Sequence, residues 1–82
     1  MHYVYLIHSL SNPTKVYVGN TVNLQQRLAT HNSGGSQYTC HDRPWELIVF
    51  LGFKNKLAAT AFEKYLKSGS GYAFAAKRFW IS

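Results

Sequence analysis

The sequence predicts a small α/β (α+β) fold: a three-stranded β-sheet flanked by helices, in the order β-β-α-β-α-α. Three observations carry this expectation. Three runs, Tyr3 to Ser9, Lys15 to Gly19 and Trp45 to Phe53, are rich in β-branched and aromatic residues and bounded by turn formers. Two further segments, opening at Leu24 and Lys56, place apolar residues at helical spacing behind an asparagine suited to capping. The chain has 82 residues, 46% of them apolar, which suffices for one modest core and not for two.

Each element has a local reason. Tyr3-Val-Tyr-Leu-Ile-His-Ser9 contains no breaker and reads as a buried strand. Ser11-Asn12-Pro13 is turn chemistry, so Lys15-Val-Tyr-Val-Gly19 returns as the second strand of an antiparallel hairpin. Thr21 or Asn23 can cap a helix that starts at Leu24 and ends around Asn32 to Ser36, where Gly34 and Gly35 break it. A flexible loop then runs to Pro44. Trp45 to Phe53 is the third strand. Asn55 caps a second helix from Lys56 to about Ser68, with Gly69 or Gly71 near its end and Ala58, Ala59, Phe62 and Leu66 as its buried stripe. Tyr72 to Phe79 forms a short last helix. One domain, residues 1–82, is expected.

Charge narrows the function. Nine Lys and Arg against three acidic residues give a net charge of +6, which favours a polyanionic partner. Seven of the nine cations follow Asp42: Arg43 precedes the third strand, and the rest fall on or beside the last two helices. The acids are only Asp42, Glu46 and Glu63, too few for a site built on several carboxylates. A metal here must take most of its ligands from water and substrate oxygens. The single Cys40 excludes an internal disulfide, and Cys40, His41 and His31 lack the spacing of a tetrahedral zinc site. No apolar run is long enough to span a membrane, and no signal peptide opens the chain, so an intracellular, cytoplasmic protein is expected.

Several polar residues fall in costly places. Tyr3, Tyr5 and Tyr17 lie on paired strands, where a tyrosine is ordinarily a core residue with one hydrogen bond. On a helical wheel with Leu24 at zero, Leu28 falls at about +40°, His31 at about −20° and Arg27 at about −60°. Arg27 and His31 are therefore one turn apart beside the apolar stripe, where a cleft wall would lie. Glu63 flanks Phe62 and sits one turn before Lys67, the spacing of an ordinary helix-surface ion pair.

Taken together, these residues carry a resemblance. Tyr3-Val4-Tyr5, then Tyr17-Val18-Gly19, then the segment from Gly19 through Arg27 and His31 to Gly34, resemble the motifs of the GIY-YIG nuclease superfamily. Tyr38-Thr39 and Arg43-Pro44-Trp45 resemble its approach to the third strand. Ala61-Phe62-Glu63-Lys64-Tyr65-Leu66-Lys67 is similar to the glutamate helix of its small single-domain members, and of the nuclease domain of the bacterial excision-repair nuclease. The resemblance covers about residues 3–79. Two positions depart from the pattern: Tyr3 replaces the first glycine, and Ser68-Gly69-Ser70-Gly71 stands where many members carry an asparagine. Tyr72 also stands where relatives often have a basic residue.

The resemblance implies an endonuclease that hydrolyses phosphodiester bonds in DNA, duplex or branched, with one Mg²⁺ or Mn²⁺. It implies Glu63 as the metal ligand, Arg27 as the phosphate clamp and Tyr17 as the base for the attacking water. It further implies Tyr5 as the hydrogen-bonding partner of Tyr17, and His31 in proton transfer or phosphate contact. Arginine suits its part because its planar fork matches phosphate oxygens and keeps its charge. Lys64, Lys67, Lys77 and Arg78 are the expected DNA contacts. Five site residues, Tyr5, Tyr17, Arg27, His31 and Glu63, should converge on one face of the sheet. One domain of this size leaves selectivity for DNA structure or, weakly, sequence, unless a partner protein or a homodimer adds more. The other expectation from the residues is a nucleic-acid-binding module of the same fold without catalysis, or a nuclease subunit that depends on a partner.

Overall fold

The computed structural model describes residues 1–79; the rest of the expected 1–82 domain lies outside the described residues. The elements are β1 (His2–Ser9), β2 (Val16–Thr21), α1 (Leu24–Ser33), β3 (Trp45–Phe53), α2 (Lys56–Leu66) and α3 (Gly69–Arg78). The loop before β3, expected as a flexible one, contains a 3₁₀ turn at Cys40–Asp42. The sheet order is β2-β1-β3, with both pairings antiparallel, so β1 is central. The hairpin is the one expected, with Tyr5 opposite Gly19 and Ile7 opposite Tyr17. Between β1 and β3 the register slips at Leu6/Ile7: Leu6 faces Val49 and Ile7 faces Leu47, leaving Ile48 as the extra residue of a bulge.

β1 is buried on both faces, and strand alternation divides the core accordingly. Val4 and Leu6 point to one side, where they pack with Ala59 and Leu66 of α2 and Ala75 of α3. Tyr5 and Ile7 point to the other, where Trp45 joins them and Leu24 and Leu28 of α1 close over the top. The sheet is thus sandwiched, with α2 and α3 on one face and α1 on the other.

Caps account for the helix ends. The Asn23 side chain accepts from the Gln26 amide, and Asn55 accepts from the Leu57 and Ala58 amides. Gly34, at φ 86°, takes the left-handed conformation that closes α1, its N–H donating to the Thr30 carbonyl. Asn32, expected to help end α1, stays inside it. Its side-chain amide brackets the backbone N–H and C=O of Trp45, tying the helix to the start of β3.

The Ser-Gly stretch differs from expectation. It does not trail α2, which stops at Leu66; it opens α3, with the Ser68 hydroxyl accepting from the Gly71 amide as the cap. Gly71 is buried, and a Cβ there would run into the Tyr65 carbonyl at the end of α2. Glycine is used here for close helix–helix approach rather than for helix termination. Ala58 is likewise corrected: it is exposed, and the buried residues of α2 are Ala59 and Leu66.

This contact gives a direct comparison. Gly71→Ala must push α3 off α2 and should lower unfolding free energy by about 1–3 kcal/mol. Gly69→Ala, with nothing within 4 Å of the new methyl, should be neutral or slightly stabilising. Urea denaturation of the two variants checks this, and equal losses would remove the packing role of Gly71.

Candidate active site

The hairpin sets the first part of the site. Tyr5 and Gly19 are cross-strand partners, and a Cβ at position 19 would collide with the Tyr5 hydroxyl. Only glycine leaves the phenol room to lie across β2. Tyr17, two residues earlier on the same strand, shares that face, and the two rings meet at 6.4 Å between centroids.

Helix α1 supplies the second part. His31 is its single buried residue, at 1% exposure. Its ring packs on Tyr17 and Tyr5, with centroids at 5.1 Å and 5.7 Å. His31 Nε2 hydrogen-bonds the Tyr5 hydroxyl at 2.8 Å, and Nδ1 hydrogen-bonds the Thr39 hydroxyl at 2.7 Å. Tyr5 and Thr39 are themselves buried, so the chain Tyr5–His31–Thr39 is closed to solvent. The Thr39 carbonyl in turn accepts from Trp45 Nε1 at 2.8 Å, anchoring the long loop.

Electrostatics follow from this burial. Burial pushes the Tyr5 phenol up to about 12; Tyr17 adds to the rise, Arg27 opposes it, and the Glu63 carboxylate adds a further push. Burial, then the Arg27 charge, holds His31 below its ordinary value. At neutral pH the imidazole is therefore uncharged, with one donor and one acceptor nitrogen, which matches its two hydroxyl partners. His31 lies inside the fold rather than along a cleft wall, and both ring nitrogens are occupied. Its geometry is that of a residue that orients Tyr5, not one that contacts phosphate.

Arg27, one turn earlier, is exposed. Beside it a cleft of about 480 Å³ opens between the end of β2, α1 and the following loop, lined by Thr21, Asn23, Gln26, Arg27, Thr30 and Ser36. Apart from the Arg27 guanidinium the lining is uncharged, mostly hydrogen-bonding side chains with the apolar Val22 among them.

Glu63 comes from the opposite side. It sits on α2, which packs on the Val4/Leu6 face, whereas the tyrosines and His31 occupy the α1 face. The five residues therefore do not gather on one face of the sheet. They close around its β2 edge, where Lys67, the residue that caps the end of α2, comes up to Tyr17. The link is Lys67, whose Nζ donates to Glu63 Oε2 at 2.9 Å and lies 5.7 Å from the Tyr17 ring centre. Lys67, expected as a DNA contact, is thus engaged within the protein. Lys64, Lys77 and Arg78 are exposed on α2 and α3, Arg78 lying over the Phe74 ring.

Thr39 and Asn32 also belong to this arrangement, although in the sequence Thr39 stands only within a motif and Asn32 only at a helix end. A long segment between α1 and β3 that must cross a buried region needs partners for its polar groups, and that need was the available signal.

The His31 environment predicts a pH dependence. An unfolded histidine takes up a proton near pH ~6.5, and folded His31 does so only at lower pH. Its stabilising contribution is therefore complete above that pH and lost as pH falls through the window below it. In a ¹⁵N-edited NMR titration the folded His31 ring should take up its proton below the ordinary histidine range. A ring that titrates at or above that range would contradict the buried hydrogen-bond chain.

Comparison with known proteins fits this geometry. Residues 1–73 match the family model of the GIY-YIG catalytic domain. The chain is 43% identical over 63 residues to the structure-specific endonuclease subunit SLX1 of Malassezia globosa, an overlap of 72% of this chain and 14% of that protein. To SLX1 of Candida dubliniensis it is 37% identical over 71 residues, 78% of this chain and 25% of that protein. A UPF0213 protein of Clostridium perfringens is 38% identical over 68 residues, 82% of this chain and 71% of that protein. The chain spans a quarter or less of the length of these SLX1 relatives. With the family model matched over most of its length and the tyrosine, arginine and glutamate motifs around one sheet edge, the chain belongs to the GIY-YIG catalytic domain family.

Proposed function

We propose that this chain is a metal-dependent endonuclease that hydrolyses phosphodiester bonds in DNA, selecting DNA structure or, weakly, sequence. The observation that carries the reading is the grouping at the β2 edge: the Glu63 carboxylate, the Arg27 guanidinium and the Tyr17 phenol all lie close enough to the buried Tyr5 hydroxyl to act on its ionisation. Residues 1–82 act as one catalytic domain. Relatives named as structure-specific endonuclease subunits favour branched DNA as substrate and a partner protein as a source of further selectivity. Handling branched DNA places the protein inside the cell, in a repair role.

The roles follow from position. Arg27, exposed at the cleft, holds the scissile phosphate and neutralises charge that grows on its oxygens. Tyr17 accepts a proton from the attacking water. Tyr5 keeps its own proton well into the alkaline range, so it is a hydrogen-bond partner and not a base. His31 fixes the Tyr5 hydroxyl.

Glu63 is the metal ligand in this reading. Among the described residues there is no group of three or more His, Cys, Asp or Glu side chains able to hold a metal by themselves. One part-buried carboxylate at an open edge fits a hard ion such as Mg²⁺ or Mn²⁺ that draws its other oxygens from water and phosphate. When bound, that ion supplies Lewis-acid stabilisation of the negative charge that builds during hydrolysis.

Purified protein should nick supercoiled plasmid and cut branched DNA in Mg²⁺ or Mn²⁺, and chelation should stop it. Glu63→Gln should fold and still bind DNA while cleavage falls by about 100-fold or more, and Arg27→Ala should lose cleavage through the phosphate clamp. Equal nicking by wild type and Glu63→Gln would refute the metal role. A salt-sensitive gel shift with no cleavage under any metal would make the chain a binding module instead.

DNA contact is assigned to Lys64, Lys77 and Arg78, and to Lys67 once it leaves its ion pair with Glu63. Replacing the first three with Gln should weaken binding to all sequences alike and flatten the log affinity–log salt slope by roughly one unit per lost phosphate contact. An unchanged slope would move the DNA away from α2 and α3.

A further inference from the structure

Lys67 touches two groups that the catalytic reading treats separately. Its ammonium donates to Glu63 Oε2 at 2.9 Å and stands 5.7 Å from the Tyr17 ring centre. It is also the C-terminal cap residue of α2, where helix carbonyls favour a cation. The Glu63 side chain is 21% exposed, against 51% for Lys67, so the carboxylate is the more enclosed partner. Of the other acids, Glu46 is bonded to His8 at 2.8 Å, on a different strand of the sheet. An ion pair that served only the helix surface would have no reason to reach Tyr17.

We propose that Lys67 is a positioning cation that competes with the divalent ion for Glu63. This rests on the reading of Glu63 as metal ligand. In the metal-free protein the ammonium neutralises the carboxylate and holds it at the Tyr17 edge. A divalent ion must displace it from Oε2, and the freed ammonium, still tethered at the end of α2, then faces the incoming phosphate. Metal and DNA therefore favour each other's binding, because the phosphate takes up the cation that the metal releases.

The test is Mn²⁺ binding by DNA-free protein, followed by the electron paramagnetic resonance signal of the free ion. Removing a partly exposed ion pair and its repulsion of the metal should tighten Mn²⁺ binding by Lys67→Met roughly two- to tenfold over wild type. Lys67→Gln repeats the measurement with a polar side chain in case the Met variant folds poorly. Lys67→Arg should keep the wild-type affinity. The gain should vanish in the Lys67→Met, Glu63→Gln double variant. Unchanged, weaker or undetectable Mn²⁺ binding by the folded Lys67 variants would overturn the proposal, as would a gain that survives without Glu63. Tighter binding by Lys67→Met together with wild-type nicking by Glu63→Gln would uphold the competition and reject the catalytic reading of Glu63.

Discussion

A phenol hydroxyl buried at the middle of a sheet must be hydrogen-bonded, and the arrangement around Tyr5 depends on that requirement. An unpaired buried hydroxyl costs about 1–3 kcal/mol, a large part of the stability of a domain this small. Tyr5 meets the requirement through His31, and His31 through Thr39. That chain explains why α1 lies where it does and why position 19 is glycine. It also explains how the loop before β3 is held, since the Thr39 carbonyl receives the Trp45 indole N–H. Among the described residues no buried side-chain nitrogen or oxygen lacks a partner, so the polar network is complete.

The two faces of the sheet divide the work. The Val4/Leu6 face is apolar and closes with α2 and α3 in a tight packing that Gly71 permits. The Tyr5/Ile7 face mixes apolar and hydrogen-bonding groups and carries the tyrosines and His31. Putting the carboxylate on the apolar side's helix and the arginine on the other brings opposite charges to one edge without crowding either core. β2 is short and lies at the rim, so it leaves the approach open. The same separation gives Lys67 its place, paired with Glu63 and close to the Tyr17 ring.

Strand and helix order could be read directly from the chain because local patterns decide it. β-branched and aromatic runs, Asn23 and Asn55 as caps, and Gly34 as a terminator act over a few residues, and the structure contains each of them. The Glu63–Lys67 pair followed from spacing alone. Gly71 did not: a glycine after a helix reads as a terminator, and only the path of α3 against Tyr65 makes it a contact residue. Ala58 failed for a related reason, since helical spacing leaves a choice of stripe that the packing partner makes.

The sequence by itself determined the elements, their order, the hairpin and the residue types available for chemistry, because backbone propensity, capping and alternation are short-range. Tertiary structure alone decided that His31 is buried and neutral rather than exposed at a cleft. It also decided that Thr39 and Asn32 brace the site, and that Glu63 approaches around an edge rather than across a face. Those outcomes depend on which hydroxyl lies opposite which ring nitrogen, and on where the end of α2 comes to lie beside Tyr17. Distances of that kind arise only when residues separated along the chain, from 8 positions for His31 and Thr39 to 26 for Tyr5 and His31, are packed together and lose their water.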